Sequence, residues 1–162
     1  MAYDAFLKLD GVKGESQKQN HAGEIDLMSF SWGASNSSSV GTGTGSSSGK
    51  VTVHDFSVTK TTDSSSAPMF QKCCDGTTFA TAVVTLQRQT NSGAMAYLVY
   101  NFTNVYVTSI QWSGSGGSGD TPMESVSFAF ETCTIDYTPQ NDDGSAGNPV
   151  HRGWDVGENV KA

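Results

Sequence analysis

A chain of 162 residues, 36% of them AVILMFWYC and 10% aromatic, is long enough to bury a substantial core and too apolar for a disordered segment. Sixteen acidic against nine basic residues leave a formal charge of −7, which repels phosphate backbones and anionic membrane surfaces alike. No apolar run reaches the roughly 18 residues of a membrane span, and collagen and heptad periodicities are absent. With only 15% charged residues and abundant Ser, Thr and Gly, the composition leans towards β-structure.

The first ten residues lack the basic start and apolar centre of a cleavable secretory signal. Three cysteines, Cys73, Cys74 and Cys133, cannot complete a disulfide framework, which predicts assembly in a reducing compartment. Period-two alternation then predicts six strands. Ala5, Leu7 and Leu9 share one side of the first. Residues 24–32 place Met28, Phe30 and Trp32 on one face and Ser29 and Ser31 on the other, with Ile25 and Leu27 in the opposite phase. Residues 51–60 switch phase between Val53 and Phe56. Residues 78–88 align Ala80, Ala82, Val84 and Leu86. Residues 95–112 form one long strand bent near Thr103 and Asn104. Residues 124–137 carry Val126, Phe128 and Phe130, then flip to Cys133, Ile135 and Tyr137. Repeated flips of this kind belong to barrels and bent sandwiches.

One helix interrupts the pattern. Ser64, Ser65 and Ser66 offer an N-cap, Pro68 suits the first turn, and Gly76 stands where a left-handed C-terminal residue belongs. Met69, Phe70, Cys73 and Cys74 are expected on its inner face, plugging one end of the fold. Residues 34–49, 113–120 and the tail 139–162 are expected as loops, and 1–162 as a single domain without internal repeats.

No combination of residues assembles a catalytic centre. Gly45-Ser46-Ser47-Ser48-Gly49 matches the pattern of a hydrolase elbow, with Ser47 as its nucleophile, but lacks the strand before and the helix after. Gly41 to Gly45 lacks the strand–helix setting in which glycines cradle phosphate. Asn141-Asp142-Asp143-Gly144 would put Pro139 where a calcium loop needs a carboxylate, so a surface turn is expected. His21 lies near Glu24 and Asp26, whereas His54 and His151 have no partner at ligand spacing, so neither metal nor cofactor is expected. Cys73 and Cys74 read as small buried side chains rather than a redox pair. Trp154, alone in a polar tail, is expected to anchor the terminus. A carbohydrate-binding β domain would share this composition, but would normally display a planar aromatic platform.

Phe6-Leu7-Lys8-Leu9 followed by Gly11-Val12-Lys13-Gly14-Glu15-Ser16 closely resembles the opening of the haemolysin-coregulated protein (Hcp) family, tube proteins of the bacterial type VI secretion system. The likeness continues through His21, Glu24-Ile25 and Ser29-Phe30-Ser31-Trp32-Gly33, then Asp55-Phe56-Ser57-Val58-Thr59-Lys60 and Asp63. It returns at Tyr97-Leu98, Glu124-Ser125-Val126-Ser127-Phe128, Tyr137-Thr138-Pro139-Gln140 and Gly153-Trp154-Asp155. It is weakest through 37–49 and 113–120.

The resemblance implies a compact β-barrel of two antiparallel sheets with one short α-helix, closing as homohexameric rings that stack into a tube. It implies a contractile sheath around the tube, a VgrG spike at its tip, and effector proteins held in the lumen. Assembly would take place in the bacterial cytoplasm, followed by export through the type VI system, with no nucleic-acid partner and no membrane insertion. Ser31, with Ser29, matches the family's luminal strand and would contact cargo. The uncharged segment holding Ser37, Ser38, Ser39, Val40, Thr42, Thr44, Ser46, Ser47 and Ser48 is expected to reach a neighbouring ring and support stacking.

Overall fold

Where the alternation of side chains changes phase, the chain leaves one sheet for another. The computed structural model describes residues 3–38, 48–117 and 120–162. Strand β1 (Asp4–Leu9) pairs with β2 (Ile25–Leu27). One residue later the chain re-pairs as β3 (Ser29–Ser31) in a different sheet. Met28 is the pivot: its N–H donates to the Thr59 carbonyl (2.8 Å), and its side chain is 62% exposed instead of joining Phe30 and Trp32. Of residues 34–49, expected as a loop, 34–38 form β4 (Ala34–Ser38) and 48–49 begin its antiparallel partner β5 (Ser48–Val53), while 39–47 lie outside the described residues. His54 and Asp55 separate β5 from β6 (Phe56–Thr61), so the predicted 51–60 strand is two strands.

Helix α1 (Ser66–Asp75) ends at Gly76, whose φ of 72° places it in the left-handed region and whose N–H donates to the Lys72 carbonyl (3.1 Å). Its start differs from expectation. Ser65 is the N-cap but makes no capping bond with its side chain, and the Ser66 hydroxyl is drawn into an ion network described below. That network fixes the helix rotation: Ser66 and Met69 are buried, Cys73 is half-buried, and Phe70 and Cys74 are exposed.

Strand β7 (Phe79–Thr90) leads by a tight turn into β8 (Gly93–Ser113), the long strand that serves both sheets. Its first half pairs with β7 and with β10 (Thr132–Tyr137), its second half with β9 (Met123–Ala129). The exchange falls beside Asn104, at φ 47°, in the region where the sequence predicts a bend. The tail is not the expected loop: it adds β11 (Val150–Asp155) on β10, and β12 (Val160–Lys161) on β11. One sheet thus runs β12-β11-β10-β8-β7-β1-β2, the other β8-β9-β6-β3, every pairing antiparallel. The fold is mainly β with one short helix, as the sequence predicts.

The two sheets enclose Leu7, Leu9, Val58, Val84, Val105 and Val126, all at most 2% exposed. Ala80, predicted to share their side, is exposed. Aromatics fill one flank: Phe30 stacks on Phe56 (5.8 Å between centroids), and Trp32 meets Phe102 and Phe130 edge-on at 5.4 and 5.8 Å. The outer side of β1 carries a smaller core. Phe6 stacks 4.3 Å from the His21 ring beneath the loop 11–24. Gly14 lets that loop close, because a Cβ there would sit 2.4 Å from the Glu24 carbonyl oxygen.

Candidate functional site

The outward side of the second sheet is a lattice of neutral polar side chains. Alternation points Ser29 and Ser31 of β3 outward, and both are exposed. The register then sets Ser31 beside Ser57, Ser57 beside Ser127, and Ser127 beside Ser109. One step along the strands, Ser29, Thr59, Ser125 and Gln111 form a second row. Together they line a shallow hollow of about 300 Å³ without an ionisable side chain. The hydroxyls of Ser57 and Ser127 share a hydrogen bond of 2.9 Å. Of these residues only Ser29 and Ser31 stand out in the sequence. The other members carry the same signal, in Ser57-Val58-Thr59 and Ser125-Val126-Ser127, but sequence does not reveal which strands lie side by side.

Behind the lattice the same strands bury an ion network. Lys60 and Glu124 are register partners on β6 and β9, both fully buried. The Lys60 ammonium donates to Glu124, to Asp63 (3.0 Å), to the Thr61 carbonyl (3.0 Å) and to the Ser66 hydroxyl (3.2 Å). Ser66 Oγ donates in turn to Glu124 (2.8 Å), tying α1 to the back of the sheet. The other oxygen of Glu124 has no partner among the described residues.

The remaining candidates resolve into structural roles. His21 binds Glu24 (2.7 Å) and Gln87 (3.1 Å) through its two ring nitrogens, while Asp26 lines a separate hollow. No group of three His, Cys, Asp or Glu is placed to share a metal among the described residues. Asn141 to Ser145 is a surface turn in which Asp143 accepts from the Ser145 hydroxyl (2.6 Å) and N–H (2.9 Å), and these bonds hold its carboxyl below the usual range. Burial raises the Cys133 thiol and the Tyr97 and Tyr100 phenols above their ordinary pKa values.

Trp154 lies on β11 opposite Cys133, its ring half-buried and packed against the core cluster. Of the stacking candidates, Ser37 and Ser38 end β4 and Ser48 begins β5. Ser39, Val40, Thr42, Thr44, Ser46 and Ser47, with the elbow-like motif, lie outside the described residues.

Known proteins match this chain over its whole length. The family model described as "Type VI secretion system effector, Hcp" matches residues 6–137. Protein hcp1 of Pseudomonas aeruginosa is 39% identical, with all of both chains covered. A solved structure described as a type six secretion system protein superposes with a TM-score of 0.93 at 35% identity, over 99% of this chain and all of that one. Hcp1 from Salmonella typhimurium gives a TM-score of 0.82 at 29% identity, with both chains fully covered.

Proposed function

The chain belongs to the Hcp family of type VI secretion system proteins, and on that premise we propose that it is a tube subunit whose hydroxyl-faced sheet lines a ring lumen. It is a structural, non-enzymatic component of the secretion system. In the proposed assembly, homohexameric rings stack into a tube inside the contractile sheath, carry a VgrG spike at the tip, and shelter effector proteins before export. Stacking is assigned to the 37–48 segment, which bears no charge, and Trp154 is assigned to hold the tail against the barrel.

The observation that carries the luminal assignment is the neutral lattice through Ser29 and Ser31. A hydroxyl exchanges a bond to water for a bond to cargo at a net gain of only about 0.5–1.5 kcal/mol. Without charges, the wall neither selects cargo by sign nor holds it by long-range attraction. Such a surface retains a protein through many weak contacts and releases it intact.

Replacing Ser31 by Gln tests this reading. The ring should persist in negative-stain images, while co-purifying effector falls several-fold because the longer amide fills the hollow. Unchanged retention would remove Ser31 from the cargo surface, and loss of the ring would make it a subunit contact.

A further inference from the structure

On the β10–β11 side the first sheet runs past the core, and the β4–β5 pair faces it. Between them lies a slot of about 300 Å³ walled by Trp32, Val51, Val53, Ile135 and Trp154, almost entirely with apolar atoms. Two groups at this slot lack a counterpart among the described residues. Trp154 Nε1–H is buried without an acceptor. Arg152 donates to the His151 carbonyl (2.6 Å) and meets no carboxylate within ion-pair distance. A dry indole N–H beside an apolar hole suits an incoming apolar side chain whose backbone brings a carbonyl.

The complement stands at the other end of the same strand order. Strand β2 ends the strand order, and no strand among the described residues pairs with its outer side, which leaves its outward carbonyls open to a partner. At its end Met28, 62% exposed, is the most exposed large apolar side chain among the described residues. Asp26, Asp4 and Glu15 surround a hollow on this side, and Lys18, 4.0 Å from Asp4, is the one cation in its lining among the described residues. One end of the sheet is therefore an apolar hole with an unpaired arginine, and the other an apolar knob among carboxylates.

We propose that these are the two halves of a head-to-tail contact: the β2 edge of one copy, led by Met28, enters the slot beside Trp154 of the next. A carbonyl of the edge accepts the Trp154 N–H, and the acidic flank faces Arg152. The inference rests on the ring reading above and names the two faces that reading requires. A closed ring of identical copies needs two different, mutually complementary surfaces on each. Methionine suits the knob because its unbranched, flexible side chain fills irregular gaps. The occupant is a second copy rather than an unrelated chain because an apolar side chain among carboxylates and an apolar hole beside an arginine stand on opposite ends of the same sheet.

Sedimentation velocity on the full chain at micromolar concentration decides it, using Met28→Asp and Ile135→Asp. Wild type should sediment as a ring, and each variant as a monomer with an unchanged far-UV spectrum. Mixed one to one, the variants should form a heterodimer of twice the monomer mass, because each supplies the face the other has lost. Rings retained in both variants, or a mixture that stays monomeric, would overturn the contact while leaving the ring reading intact. A monomeric wild type would overturn the ring reading itself. If Ile135→Asp does not fold, Asp26→Arg and Arg152→Asp replace the pair. Each alone should raise the ring dissociation constant at least tenfold and the double reversal should restore it; failure to restore would overturn the pairing.

Discussion

On the β8-β9-β6-β3 sheet the two central outward rows hold Ser, Thr and Gln, backed by fully buried Lys60 and Glu124 and by packed aromatics. On the β10–β11 wing, Ile135, Tyr137 and Val150 stand in register positions facing the slot side and remain 38, 44 and 51% exposed. The same strand alternation produces both surfaces, and they ask for different things. Hydroxyls trade partners with water at little cost, so the lattice is complete in a monomer. Exposed apolar atoms gain about 25 cal/mol for every Å² taken out of water, so the wing is stabilised only when something covers it. One surface suits transient contact and the other permanent contact.

The sharpest way to break this contrast is to remove the support behind the lattice. Lys60→Met leaves the Glu124 carboxylate buried without its cation and removes the Lys60 bonds to Asp63 and Ser66 at the start of α1, which should cost about 3–5 kcal/mol. The double variant Lys60→Met with Glu124→Leu should regain most of that loss, since a buried ion pair and an apolar pair of similar volume are often close in stability. Urea midpoints on both variants check this. A neutral Lys60→Met would show that the aromatic core alone holds the sheet.

The ion network also accounts for what the sequence conceals. The helix was legible from its flanking Ser and Gly residues, but its rotation was not. Apolar spacing points Phe70 and Cys74 inward, whereas the bond from Ser66 to Glu124, fifty-eight residues away, turns them to solvent. Phase flips at Met28, between Val53 and Phe56, and between Phe130 and Cys133 are local features, and each marks a true strand boundary. Sheet order is non-local, so the sequence shows Ser29 and Ser31 facing outward without showing that Ser57 and Ser127 complete their row. The tail strands escaped for a different reason. Val150 to Asp155 mixes two charged residues and a glycine with its apolar positions, and β12 has only two residues, too few for alternation to register.

A middle-sized effect sharpens the other half of the comparison. Trp154 is half-buried, so Trp154→Ala should cost about 2–3 kcal/mol, short of the about 3–5 expected for a fully buried aromatic. The melting temperature should fall by about 2–4 °C for each kcal/mol. In the proposed ring, subunit association would add to apparent stability, so the measurement belongs in the Ile135→Asp variant, which the proposed contact makes a monomer. An unchanged melting temperature there would mean that the Trp154 ring contributes nothing to holding the tail, leaving the slot as its only role.

The smallest expected effect is the one on which the luminal reading depends. Ser127→Ala removes the hydroxyl that shares a 2.9 Å bond with Ser57 at the centre of the row Ser31, Ser57, Ser127 and Ser109. Both serines are only partly buried, so water can take the vacated position, and no buried group is left without a partner. The cost should therefore fall near the bottom of the hydrogen-bond range, about 0.5 kcal/mol. The urea dependence should keep its slope, because the surface exposed on unfolding hardly changes. A loss above about 2 kcal/mol would mean that the hydroxyl rows act as a rigid ladder bracing the sheet. The lattice would then owe its neutrality to folding, and a wall that exchanges freely between water and cargo would lose its physical basis.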